Sequence, residues 1–258
     1  MRIGIRDGCL QMSWPEALKA AAEIGFDGVE LDIGPDYRDT LLWREGPEAV
    51  AKMAEEAGGK ILSFCAGVCW GISPASADLG VREEIRTLLR DLSTYSGQLG
   101  AGFILVPITP GGEDVTYEDS VERWIEQMKL VAPAAEDAGV ILCLENVGRG
   151  VGKSAQELIT LVDGVGSPAV QAYYDIGNAT AFGNDPVGEV KQLGSRIADV
   201  HIKDWKGELL GAGQVNIAGS VAALKEIGYS GDLVLETAAT DDPRAAAKFN
   251  LDFLKALL

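Results

Sequence analysis

The chain has 258 residues, 47% of them hydrophobic and 24% charged, which suits a soluble protein with a substantial core. Its 39 acidic against 22 basic residues give a net charge of −17, a field that repels the phosphates of nucleic acid and anionic lipid. No run of ~18 apolar residues occurs, so no membrane span is expected, and Met1 to Asp7 reads as the start of a strand rather than a leader peptide. Nucleic acid and membrane are therefore not expected as partners, although single basic residues can still hold one phosphate group.

Short β-branched apolar runs alternate with longer amphipathic stretches from end to end. Strands are predicted at Arg2–Arg6, Gly28–Asp32, Lys60–Ala66, Gly102–Ile108, Val140–Glu145, Val170–Asp175, Ile197–Lys203 and Asp232–Glu236. Between them the spacing predicts helices near 14–24, 46–57, 82–99, 118–138, 155–164, 186–194 and 217–227, with a last one near 243–257. Ser13–Glu16 and Ser154–Glu157 have capping-box spacing. Gly25, Gly58, Gly139 and Gly228 stand where a left-handed helix stop is needed. Strands such as VILCLE and DLVLE are almost continuously apolar, as parallel strands buried on both faces must be.

Eight strand–helix units fit a single (β/α)8 TIM barrel over residues 1–258 better than an open doubly wound sheet. Cys9, Cys65, Cys69 and Cys143 have no C-x-x-C spacing and read as reduced thiols of a cytoplasmic protein.

In such a barrel the chemistry gathers where the strands end. Predicted strand five ends at Glu145 and strand six at Asp175; His201 lies near the end of strand seven, and Glu236 ends strand eight. Four potential ligands thus fall on four successive strands, about one βα repeat apart. Three carboxylates and an imidazole form a hard donor set suited to one divalent ion, with Mn²⁺ the first expectation and Mg²⁺ or Co²⁺ the alternatives. Without an ion or protons they would repel one another in an apolar barrel mouth. His201 is the chain's single histidine, and taken alone it reads as a hydrogen-bonded interior residue.

Several runs carry a resemblance: Gly25-Phe-Asp-Gly-Val-Glu-Leu31, Leu144-Glu-Asn146, Asp175-Ile-Gly-Asn178, Val200-His-Ile-Lys-Asp204 and Leu235-Glu236. In this order they resemble the xylose isomerase-like sugar phosphate isomerase/epimerase superfamily. The resemblance implies a divalent-metal-dependent isomerase or 3-epimerase of a small ketose or ketose phosphate, with Glu145, Asp175, His201 and Glu236 binding the metal. In the ketose 3-epimerase branch Glu145 and Glu236 also move protons on opposite faces of the substrate through an enediolate. Many ketose epimerases carry histidine where this chain has Asn178, expected here to meet substrate. Asp-Ile-Gly-Asn followed by Asn184-Asp-Pro186 looks instead like pentulose-5-phosphate 3-epimerases. Gly211-Ala-Gly213 and Val215-Asn216 depart from those enzymes' Gly-Glu-Gly and Val-Asp. Dimers or tetramers are common in the resembling family.

Around this set, Lys203 can bind a substrate oxyanion or pair with Asp204 or a ligand carboxylate. Glu30 can orient hydroxyls or belong to a structural network, Trp70 can wall off a sugar face or simply pack its loop, and Arg6 can meet an anion or pair with Glu30. Val147 to Ser154 looks like a phosphate loop but lacks the required glycine at Val147; a nest or Arg149 there can still hold a sugar phosphate, against a flexible loop before a capped helix. Rival readings are a metal-dependent dehydratase of an inosose or dehydroshikimate-like ketone, an abasic-site nuclease disfavoured by the net charge and the lone histidine, and a non-catalytic sugar-binding barrel.

Overall fold

The structure, a computed structural model, describes every residue except Glu208 and Ala239. In chain order the elements are β1 (Ile3–Arg6), α1 (Asp7–Leu10), α2 (Trp14–Ile24), β2 (Gly28–Asp32), α3 (Leu41–Glu45), α4 (Pro47–Ala57), β3 (Ile61–Cys65), α5 (Leu79–Leu99), β4 (Phe103–Pro107), α6 (Tyr117–Ala138) and β5 (Ile141–Glu145). Then follow α7 (Ala155–Val165), β6 (Val170–Asp175), α8 (Ile176–Ala181), α9 (Pro186–Leu193), β7 (Ile197–Ile202), α10 (Ile217–Glu226), β8 (Leu233–Leu235) and α11 (Pro243–Leu257). The eight strands pair in parallel in sequence order, and β8 returns to β1 to close the barrel.

Each predicted strand is present with its ends within one residue of expectation. Period-two alternation then divides the side chains. Leu142 and Leu144 of β5 join the large apolar layer between strands and helices, whereas Cys143 belongs to a small cluster with Cys65, Leu105, Tyr173 and Ala198 inside the ring. All four cysteines are buried and free.

The helix stops lie where glycine was expected: Gly25, Gly58, Gly139 and Gly228 all have left-handed φ, between 69° and 104°. At α2 the Ser13 N–H donates to Glu16 Oε2 at 3.1 Å, as a capping box requires. At α7 the arrangement slips by one residue. Ser154 Oγ accepts from the Glu157 N–H, but the Glu157 carboxylate accepts from the Lys153 N–H at 2.7 Å. Helix α5 begins at Leu79, three residues earlier than its apolar period, because Asp78 caps Gly80 at 2.7 Å. The short helices α1, α3 and α8 were not expected.

Candidate metal centre

Glu145 and Asp175 are the last residues of β5 and β6, and His201 is the penultimate residue of β7. Glu236 follows β8 directly, its N–H donating to Ile202 O. Parallel pairing at a common end of the ring brings one donor atom from each of the four within 4.8 Å of the others. His201 Nδ1 lies 3.1 Å from Glu145 Oε1, 3.4 Å from Glu236 Oε2 and 3.9 Å from Asp175 Oδ2. Three of the residues are buried, and Glu236 is 19% exposed at the open side.

Lys203, two residues past His201, places Nζ 2.6 Å from both Asp175 Oδ2 and Glu236 Oε2. Its stem fits because residue 177 is glycine: a Cβ there would stand 2.3 Å from Lys203 Cγ. Arg6, the last residue of β1, pairs through Nη1 with Glu236 and through Nη2 with Asp32 at 2.9 Å. Arg6, Lys203 and Glu236 share a cavity of about 470 Å³ with Cys9 and Thr237, a volume suited to a small ligand.

Charge and burial divide these groups. Burial pushes the Glu145 and Asp175 carboxyls up, with His201 opposing at Glu145 and Lys203 at Asp175. Burial acts on Glu236 in the same sense, but His201, Lys203 and Arg6 outweigh it and hold that carboxyl well below the usual range. Burial would lower the His201 imidazole; Glu236, Glu30 and the hydrogen bonds it donates to Glu145 and Glu30 raise it well above its ordinary value.

Asp175 Oδ2 is buried, with the Lys203 ammonium 2.6 Å away. A buried acceptor of this kind among two further carboxylates and an imidazole nitrogen fits a hard divalent cation.

A sequence model of the xylose isomerase-like TIM barrel family matches residues 18–257. The chain belongs to that family. Among relatives, SgbU of Escherichia coli strain K12, provisionally named an L-ribulose-5-phosphate 3-epimerase, is 29% identical over 91% of this chain and 88% of its own. UlaE of the same strain, an L-ribulose-5-phosphate 3-epimerase, is 27% identical over 94% and 89%. Among solved structures, an L-ribulose 3-epimerase superposes with a TM-score of 0.88 at 22% identity, covering 100% of this chain and 94% of its own. A D-psicose 3-epimerase from Clostridium cellulolyticum H10, solved with D-tagatose, gives 0.86 at 20% identity, covering 100% and 99%.

Within this family barrel the other expected site residues take distinct places. Lys203 pairs with two carboxylates of the ligand cluster rather than with Asp204. Asp204 instead accepts the N–H groups of Trp205, Gly211, Gly213 and Val215, all at 2.8–3.1 Å, and so ties down the loop after β7. Arg6 meets Glu236 and Asp32, not Glu30. Glu30 is fully buried behind His201, away from the open mouth.

Asn178 lies inside α8, where its N–H donates to the capping Asp175 Oδ1 at 2.8 Å, while its Nδ2 donates to Asn146 O at 3.0 Å. Trp70 is 53% exposed on the turn after β3, with the Arg149 guanidinium 5.5 Å from its ring centre. The glycine-rich loop before α7 offers little to a phosphate at that helix start. The Ala155 N–H already donates to Glu189 Oε1 and the Lys153 N–H to Glu157, so two carboxylates hold the positions an anion would need.

Sequence reasoning gave no role to Asn146, Ser63 or Tyr173. Asn146 is 1% exposed; its Oδ1 accepts the Asp175 N–H at 2.7 Å and its Nδ2 donates to Asp175 O at 2.9 Å, clamping the end of β6 to that of β5. Its position directly after Glu145 was the available signal. Ser63, a polar residue inside an apolar strand, and Tyr173, on the same face of β6 as Asp175, could have been found by period-two counting.

Proposed function

We propose that this chain is a divalent-metal-dependent epimerase that inverts carbon 3 of a small ketose or ketose phosphate, with Mn²⁺ the first candidate ion. The observation that carries the reading is the placement of Glu145 and Glu236. Glu145 ends β5 and Glu236 directly follows β8, three strands apart around an eight-strand ring, yet both offer oxygens to one cluster within 4.8 Å. Two carboxylates converging from well-separated strands can serve opposite faces of a flat, enolised carbon. The names of the relatives and structural neighbours point to the same reaction class.

Glu145, Asp175, His201 and Glu236 would hold the ion, which when bound would polarise the ketose carbonyl and stabilise the negative charge left by proton removal. Everything else falls to the chain. Glu236, which shares the open cavity with Lys203 and Arg6, would take a proton from carbon 3. Glu145, reaching the cluster from β5, would return one on the other face. Arg6 steers Glu236 from the β1 side, and Asn146 fixes the backbone between Glu145 and Asp175.

The test is deuterium incorporation from D2O, followed by NMR after metal removal, over free ketoses, pentulose and hexulose phosphates, hydroxypyruvate and inososes. Exchange at carbon 3 with epimer formation is expected, and Glu236→Gln should lose turnover by about 10²-fold or more while keeping the fold. Loss of water with a new enone absorbance would replace the epimerase with a dehydratase. A Glu236→Gln variant of wild-type activity would sink the two-glutamate mechanism.

A further inference from the structure

Among the described residues the strand register slips at two places, Val29/Glu30 where β2 meets β3 and Ala172/Tyr173 where β6 meets β7. Irregularities of this kind re-aim side chains and collect beside active sites. Both slips fall at residues that converge on His201. Glu30 reaches across the ring from β2 to β7, placing Oε1 2.9 Å from His201 Nε2. Its other oxygen accepts the Ser63 hydroxyl at 2.9 Å and the Tyr173 hydroxyl at 3.1 Å. Tyr173 also packs edge-on against the imidazole, with ring centres 4.5 Å apart.

The direction of these bonds follows from chemistry. Ser63 and Tyr173 donate to Glu30, and a carboxylate so held has only acceptor capacity left for His201. Nε2 therefore carries the hydrogen. In a neutral imidazole the lone pair then lies on Nδ1, the nitrogen that faces Glu145, Asp175 and Glu236. All four members of this group are fully or almost fully buried, so water does not compete for the contacts.

We propose that Glu30, braced by Ser63 and Tyr173, is a positioning residue that fixes His201 as the Nε2–H tautomer and holds Nδ1 on the ion. Glu30 touches neither substrate nor metal; it acts through His201 and raises the donor strength of the imidazole. The proposal rests on the metal reading given above and extends it to residues outside the ligand set. It also accounts for the two slips, since a regular ladder would not need to break at Glu30 and Tyr173.

The single histidine makes the test direct, because every imidazole signal in the protein belongs to His201. In protein saturated with diamagnetic Mg²⁺, long-range ¹H–¹⁵N spectra should show one tautomer with a slowly exchanging Nε2 proton. Glu30→Gln can turn its NH2 toward Nε2 and so admit the Nδ1–H form. The expected results are a loss of the single-tautomer pattern and a Mn²⁺ affinity, read by EPR titration, weakened roughly 10- to 100-fold. A merely structural Glu30 would lower thermal stability and leave both readouts in place, and that outcome overturns the proposal.

Should Glu30→Gln not fold, Tyr173→Phe and Ser63→Ala carry the test. Each removes one donor from Glu30 and should weaken Mn²⁺ binding by about fivefold. Wild-type affinity in both overturns the proposal. A native protein that takes up no divalent ion overturns the metal reading and this proposal with it. Intact native binding with unchanged variants overturns only this one.

Discussion

Replacing Lys203 by Met removes the ammonium that stands 2.6 Å from both Asp175 Oδ2 and Glu236 Oε2. Asp175 is fully buried, and Lys203 is 23% exposed. Taking one partner from a buried ion pair costs about 3–5 kcal/mol, and the partial exposure of Lys203 places this case near 3 kcal/mol. For a chain of this size that is a fall in Tm of roughly 6–12 °C in the presence of EDTA. Saturating Mn²⁺ should close most of that gap, because the ion supplies the missing positive charge.

The same two oxygens cannot serve the ammonium and a cation equally, so Lys203→Met should also bind Mn²⁺ about tenfold more tightly. Thermal melts with EDTA and with Mn²⁺, together with isothermal titration, measure both effects. Gly177→Ala is the charge-conserving control. Its Cβ would stand 2.3 Å from Lys203 Cγ and push the ammonium aside, so affinity should move the same way with no charge removed. A Lys203→Met protein as stable as the native one in EDTA, with unchanged Mn²⁺ affinity, would refute the reasoning.

Two further outcomes follow from the same geometry. Asn146→Ala deletes two hydrogen bonds to the Asp175 backbone and should cost about 2–4 kcal/mol, seen as a lower denaturant midpoint at unchanged slope. The pH dependence has opposite signs at His201 and Glu236. In EDTA the raised His201 contributes stability that is full below its unfolded value of about 6.5 and is lost as pH climbs through the folded value. The lowered Glu236 contributes stability that is present above about pH 4.3 and is lost as pH falls through the folded value. Because an ion must displace the Nδ1 proton, Mn²⁺ affinity should rise with pH across the neutral range, with proton release detectable in buffers of different ionisation enthalpy. Affinity independent of pH would contradict this assignment.

Much of the fold was legible because the signals were local. Runs such as Ile141–Glu145 and Leu233–Leu235 are apolar on both faces, which marks buried parallel strands, and their boundary residues carry caps or glycines. The four ligand candidates were legible for a related reason, since residues that end successive strands of one barrel must share a rim. The short helices were not. Asp7–Leu10, Leu41–Glu45 and Ile176–Ala181 are too short to show a 3.6-residue period, and α8 starts only because Asp175 caps it at Asn178.

The sequence by itself determined the number and order of strands, the rim on which Glu145, Asp175, His201 and Glu236 gather, and the hard character of that donor set. Only the closed ring decided the pairings: Arg6 with Glu236 and Asp32, Lys203 with Asp175 and Glu236, and Glu30 with His201 across 171 positions of chain. Local pattern reports which face of a strand a side chain occupies. Which partner it meets across the lumen depends on where the register slips and on which neighbour, such as Gly177, leaves room, and those are properties of the packed barrel.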